Sequence, residues 1–186
     1  MKEEVDNNNI NNVNVDMGHR NCSKNNKNSP IIIVLNINDK SIISLINITD
    51  ILKDNVYIGS EDKIKIADVT VYPKEVYISK ELDNTIIYYK VVDNYENFKD
   101  NDWSRVVAVF VDADYDEWDF ENIKNVPKFF IRFDTFLCAK NIRECNDLNI
   151  ITICRYNRNL DKFHLKEIWL IIENFIKMNK PYLLYK

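Results

Sequence analysis

Lys40-Ser41, in the stretch "IIIVLNINDKS" (31–41), is the pair of residue types that phosphate-binding loops set at the start of a helix. A buried strand, a short polar connection and an apolar run behind the Lys-Ser complete that layout. The chemistry of such a loop depends on glycines, which let backbone N–H groups turn inward onto the phosphates without a Cβ in the way. Val34 and Asp39 occupy the glycine positions, and the only two glycines of the chain, Gly18 and Gly59, lie elsewhere. Asp39 would also set a carboxylate against phosphate charge. A metal-binding Asp with a nearby Gly is expected after a later strand, but "DADYD" from Asp112 contains no Gly. A base-reading Asn-Lys-x-Asp is expected after another strand, but "NRNLD" (157–161) has an Arg and the wrong spacing. The residues of a nucleotide site are not there.

Other chemistry is equally sparse. Asp112, Asp114, Asp116, Glu117 and Asp119 lack the Gly and terminal Glu of a calcium loop and read as a solvated acidic segment. His19 and Cys22 supply two of the four ligands that a structural zinc needs. His164, in the first turn of the final helix, has no nucleophile beside it in sequence. Simple structural roles cover the rest: Asp39 caps a helix, Asp112 ends a strand and Asp161 caps the last helix. Four cysteines without a Cys-x-x-Cys pair, behind a polar stretch rather than an apolar leader, read as free thiols in a reducing compartment. The net charge of −4 gives the chain as a whole no electrostatic reason to seek duplex nucleic acid.

Apolar content of 46% in 186 residues suits one folded domain with some chain to spare. The spare part is the Asn-rich residues 1–28, which carry too little apolar surface to offset the entropy of ordering them and read as a disordered tail. The domain is expected over 29–186. Continuous apolar runs at 30–35, 105–111 and 149–154 read as strands covered on both faces. Helical spacing runs from Ser41 to Leu52. "KIKIADVTVY" (63–72) alternates at period two and "TIIYYKVVD" (85–93) is rich in β-branched and aromatic residues, so the two are expected to pair as a hairpin at a sheet edge. Pro127 suits the first turn of a helix carrying Phe129, Phe130, Phe133, Phe136 and Leu137. The last helix starts at Asp161 and turns Leu165, Ile168, Trp169, Ile172, Phe175 and Ile176 to one face. The fold class that follows is α/β, a three-layer domain with a mostly parallel central sheet and an edge hairpin.

"SPIIIV", "YKVVDN", "DWSRVVAVFV", the Trp-x-Phe at Trp118 and Phe120, "RNLD" and the terminal helix resemble the C-terminal domain of parafibromin-type proteins, from about Ser29 to the end of the chain. Arg158-Asn159-Leu160-Asp161 differs from the family's Arg-His-Leu-Asp, and the stretch before Trp118 is longer and more acidic. The resemblance implies a domain similar to small GTPases but without a phosphate loop, hence no cofactor and no catalysis. It implies a nuclear subunit of the polymerase-associated-factor complex, acting in RNA polymerase II elongation and association with chromatin. The partners it implies are other subunits of that complex and phosphorylated polymerase-tail or elongation-factor peptides, with no direct sequence-specific nucleic acid and no membrane. The alternative is a GTPase-like enzyme with a degenerate loop.

A peptide contact is expected at Arg105 and Trp118. Arg105 opens an otherwise apolar strand, so its planar fork is placed to meet an acidic ligand at the sheet's end. Trp118 stands in a polar segment with no periodic apolar partners. The alternative is that Arg105 pairs with Asp102 and Trp118 folds over the core edge. Lys90, Arg158 and Lys162 are the next candidates.

Overall fold

The structure is a computed structural model and describes residues 28–35, 41–111, 121–136 and 147–184. The Asn-rich segment 1–27, Lys40, Asp39 and the acidic segment 112–120 with Trp118 lie outside the described residues, as do Cys22, Cys138 and Cys145.

Six strands form one sheet: β1 (Ile31–Val34), β2 (Val76–Leu82), β3 (Thr85–Val92), β4 (Val106–Phe110), β5 (Lys128–Phe133) and β6 (Leu148–Ile153). Their order is β2-β3-β1-β4-β5-β6. All neighbours are parallel except β2 and β3. The expected mostly parallel sheet with an edge hairpin is what forms. β1 and β4 are buried along their whole length, as continuous apolar runs require when both faces are covered. Their register slips once, Ile31 facing Val106 but Ile32 facing Ala108. Val107 and Ala108 therefore both enter the same side of the core.

The hairpin has a different first strand from the one expected. Residues 76–82 pair with β3, through a two-residue turn in which Asp83 and Asn84 both have positive φ, 49° and 62°. Asp and Asn tolerate that left-handed region, and such a turn matches the twist of the strands it joins. Residues 63–67 of the expected strand instead lie in helix α1 (Ser60–Ala67). Glu61 and Asp62 lie in its first turn, Lys65 in its last, and Asp68 closes it in a left-handed conformation. None of its residues is buried. The alternation of Ile64 and Ile66 thus reflects no buried sheet face. The helix is held by the Lys63–Asp50 ion pair and by the Ser44–Ser60 hydroxyl pair at 2.7 Å.

Residues 128–133, expected as a helix after Pro127, are the strand β5. Phe129 and Ile131 enter one side of the core and Phe130 the other, the period of a strand. Pro127 stands just before the ladder, where only its carbonyl is needed; that oxygen accepts the Val109 N–H at 3.0 Å. The 41–52 segment buries Ile43, Leu45, Ile48, Ile51 and Leu52 as its spacing implied, but only its end is helical, leading into a wide turn over Asp50–Asp54. Its loop is wound around the fully buried Asn47, which accepts from Ser44 N and donates to the Ile42 and Ile58 carbonyls.

A single turn, α2 (Asp100–Trp103), precedes β4, and the long helix α3 (Asp161–Asn179) follows β6. α3 lays Leu165, Ile168, Trp169, Ile172 and Ile176 on one face of the sheet, beside the 43–52 segment. The other face is covered, among the described residues, by α2 with Tyr95 and Phe98 and by Ile123 and Val126. The long helix on that side that a three-layer arrangement implied is not among the described residues.

Trp169 joins these layers. Its indole N–H donates to the Leu52 carbonyl at 2.5 Å, and its ring meets Tyr89 edge-on at 4.9 Å. Trp169→Ala removes a packed ring and leaves that carbonyl without its donor. Chemical denaturation should show a loss of about 3–5 kcal/mol, and a variant as stable as the parent would contradict this packing.

Candidate ligand groove at the strand ends

Parallel strands bring their C-terminal ends to one side of the sheet, where open α/β folds hold ligands. β5 ends at Phe133 and β6 at Ile153, and the next residues are knitted together there. Asp134 N donates to the Ile153 carbonyl at 2.9 Å, and Arg155 N to Asp134 Oδ1 at 3.1 Å. The chain then runs through 155–160 into α3.

Asp161, the first residue of α3, is 1% exposed. Its Oδ1 accepts from Cys154 N at 3.1 Å and its Oδ2 from Arg158 at 2.7 Å. Arg158 in turn donates to the Tyr57 carbonyl at 2.8 Å. The arginine so held lies 4.9 Å from the Tyr57 ring centre, while Arg155 lies 4.5 Å over Phe133. The two rings meet edge-on at 5.4 Å. Gly59, Asp62, Lys65 and Ile66, from α1 and its start, form the opposite wall of an open groove of about 580 Å³.

Burial pushes the Tyr57 hydroxyl above the ordinary tyrosine range, with Arg158 opposing and Asp62 reinforcing the shift. The phenol is therefore a neutral donor at physiological pH. Burial, followed by Asp134 and Asp161, likewise raises the Cys154 thiol. An aromatic floor rimmed by two guanidiniums and an ammonium, with the Asp62 carboxylate on the facing wall, offers surface for an apolar group beside positive charge. Among the described residues no group of three or more His, Cys, Asp or Glu side chains could hold a metal ion.

The residues expected to bind are divided between the two ends of the sheet. Arg158 is in the groove wall, and Lys162 is exposed on the first turn of α3 beyond it. Arg105 and Lys90 lie at the opposite end, next to the start of β1. Arg105 is 9% exposed, and its donors are engaged by Asn101 O at 3.2 Å, Ser29 O at 3.0 Å and Asp102 Oδ1 at 2.5 Å. The pairing with Asp102 is the alternative drawn from the sequence, and it replaces the reach toward solvent because the side chain is turned inward onto Ser29 O, Asn101 O and Asp102. Lys90 pairs with Glu75 at 2.6 Å. Trp118 lies outside the described residues, so the question of one site or two at Arg105 and Trp118 has no geometry.

Arg155, Tyr57 and Phe133 were not singled out in the sequence. Arg155 did carry a signal, a cation directly after the apolar run 149–154. The spacing of Phe133 with Phe129, Phe130 and Phe136 fits a helix face, and Tyr57 sits in a connection without periodicity.

The model of the family described as "RNA pol II accessory factor, Cdc73 family, C-terminal" matches residues 26–175. The chain belongs to the Cdc73 family. It is 29% identical to "Cell division cycle protein 73" of Caenorhabditis elegans over 88% of its length, and 30% identical to "Protein CDC73 homolog" of Arabidopsis thaliana over 74%. These alignments take in 32% and 36% of those proteins, so the chain spans about a third of the curated relatives it matches. The solved "conserved domain of yeast Cdc73" superposes with a TM-score of 0.69 over 85% of this chain and all of that one, at 19% identity. The Cdc73 domain fold is thus shared, and it is Ras-like, as the resemblance implied.

In this member of the family the Lys99 N–H, and after it the Arg105 guanidinium, hold the Asp102 carboxyl below the ordinary aspartate range. A folded-state pKa below the unfolded one contributes stability above the unfolded value, about 3.9, which is lost as pH falls through the folded value. Asp102→Asn should therefore cost about 1–2 kcal/mol at pH 7 by urea denaturation. Between pH 5 and pH 3 it should lose less stability than the parent. Parallel losses over that range would show that Asp102 contributes nothing through its charge.

Proposed function

We propose that this domain is a non-catalytic protein-binding module of the nuclear polymerase-associated-factor complex, acting in RNA polymerase II elongation. Its groove at the ends of β5 and β6 receives phosphorylated polymerase-tail or elongation-factor peptides. Membership of the RNA polymerase II accessory-factor family supports the setting. The observation that carries the site is Arg155 stacked on Phe133 at the groove, with no ion pair to it among the described residues. Its fork is placed to take a phosphate, while Tyr57 and Phe133 offer an apolar floor to a neighbouring side chain. Lys65 adds charge from the facing wall, and Trp118 is proposed as a further contact. Arg105 acts as a brace of the fold on this reading.

Fluorescence anisotropy with a serine-phosphorylated polymerase-tail peptide tests it. Arg155→Glu and Tyr57→Ala should each weaken binding about tenfold or more, about 1.4 kcal/mol, with the circular dichroism unchanged. Dephosphorylated peptide should bind more weakly. Parent-like affinity in both variants would place the peptide elsewhere, with Trp118→Ala as the next variant to measure.

The nucleotide alternative is tested separately. With Val34 and Asp39 at the glycine positions, GTP, GDP or ATP with Mg²⁺ should give no calorimetric heat at sub-millimolar concentration and no thermal stabilisation. Stabilisation by several degrees, or hydrolysis above a blank, would overturn the non-catalytic reading.

A further inference from the structure

Of the stretch "RYNRNLDKFHLK" (155–166), the groove takes only Arg155 and Arg158, and the peptide reading leaves the other exposed residues unused. Between Leu148 and Lys166 the chain carries four cations, Arg155, Arg158, Lys162 and Lys166, and one carboxylate. That carboxylate is Asp161, buried and neutralised by Arg158. The charge this stretch turns to solvent is therefore positive, on a chain whose total is −4. A run of charge is ordinarily only a solvated face, but here it is interleaved with rings. Tyr156 is 87% and Phe163 73% exposed, the two most exposed aromatic side chains among the described residues. Neither ring contributes to the core clusters. Asn157 and Asn159, also exposed, add amides that can pair with base edges.

We propose that this surface binds single-stranded nucleic acid without sequence preference. Exposed rings flanked by cations are how proteins hold unpaired strands: bases stack on the rings and the backbone follows the charge. Lys162 and Lys166 stand one helical turn apart, about 5–6 Å, so they meet successive phosphates rather than one. A phosphopeptide fits less well, because a single phosphate needs donors that converge. Arg158, the one fork between the rings, is already engaged by Asp161 and the Tyr57 carbonyl. A duplex fits less well too, since its bases offer no open face to Tyr156 or Phe163.

The test is anisotropy of the full chain with labelled twelve-nucleotide oligouridylate, oligothymidylate and a duplex of the same length, over a range of salt. Both single strands should bind more tightly than the duplex, and the ratio of the first two reports whether the 2′-hydroxyl is read. Tyr156→Ala and Phe163→Ala should each weaken single-strand binding about tenfold. The double variant Lys162→Glu/Lys166→Glu should do so at least as much and reduce the log–log salt slope by about 1.4, two phosphates' worth. All four positions are exposed, so melting temperatures should not move. Lys53→Glu/Lys74→Glu, the same charge change at exposed lysines elsewhere, should bind as the parent does. So should Tyr57→Ala, which disables only the groove and separates this surface from the peptide site. Absence of saturable binding, or binding that the Tyr156, Phe163 and lysine variants leave intact, overturns the proposal. Loss of the phosphopeptide but not of the oligonucleotides in those variants also overturns it and assigns the surface to peptide.

Discussion

The ion pair between Asp161 and Arg158 holds the groove end of this domain in place. A carboxylate at 1% exposure is costly unless its lone pairs are met. Here one oxygen takes a backbone N–H at the end of β6 and the other takes the guanidinium. The same guanidinium reaches across to the Tyr57 carbonyl, 101 residues earlier in the chain. One buried charge thus fixes the start of α3, the exit of β6 and the connection leading into α1. The groove takes Tyr57 and Arg158 from these segments and is completed by Phe133 of β5 and by Asp62, Lys65 and Ile66 of α1.

The opposite end of the sheet uses an arginine in another way. Arg105 ties the start of β4 to Ser29, two residues before β1, and to α2, spending its fork on two carbonyls and Asp102. Both arginines pair with an aspartate three residues away. What separates them is what stands over the guanidinium plane. Arg158 lies beside Tyr57 and Phe133 at an open groove, whereas Arg105 closes against backbone. One end is therefore suited to recognition and the other to holding the strands together.

A Ras-like sheet without the glycines of a phosphate loop raises the question of what its ligand end is for. Strand ends, the entry to a helix and converging loops remain at that end whether or not a nucleotide fits. Removing phosphate chemistry from β1 leaves the edge near β5 and β6, where aromatic and basic side chains gather.

β1, β3, β4, β6 and the buried face of α3 were legible in the amino-acid sequence: β1 and β4 because strands covered on both faces must be apolar throughout, β3 and β6 because they are rich in β-branched residues, and α3 because a helix on a sheet must repeat its apolar residues. The missing phosphate loop was legible for the same kind of reason, since only glycine permits the backbone approach. Residues 63–72 and 128–133 were not, because local period is ambiguous where packing decides. Ile64 and Ile66 alternate but are buried by nothing, and the edge they would have paired with is taken by β2, whose Asp83-Asn84 turn sets the register. Phe129, Phe130 and Phe133 fit a helix face as well as a strand until β4 and β6 flank them. The groove was legible only in Arg158. Arg155, Tyr57 and Phe133 come from three separate segments, and no spacing along the chain relates them. Their meeting, and the internal capture of Arg105, were decided in three dimensions, where a buried charge takes whichever partner the fold sets within a hydrogen bond's reach.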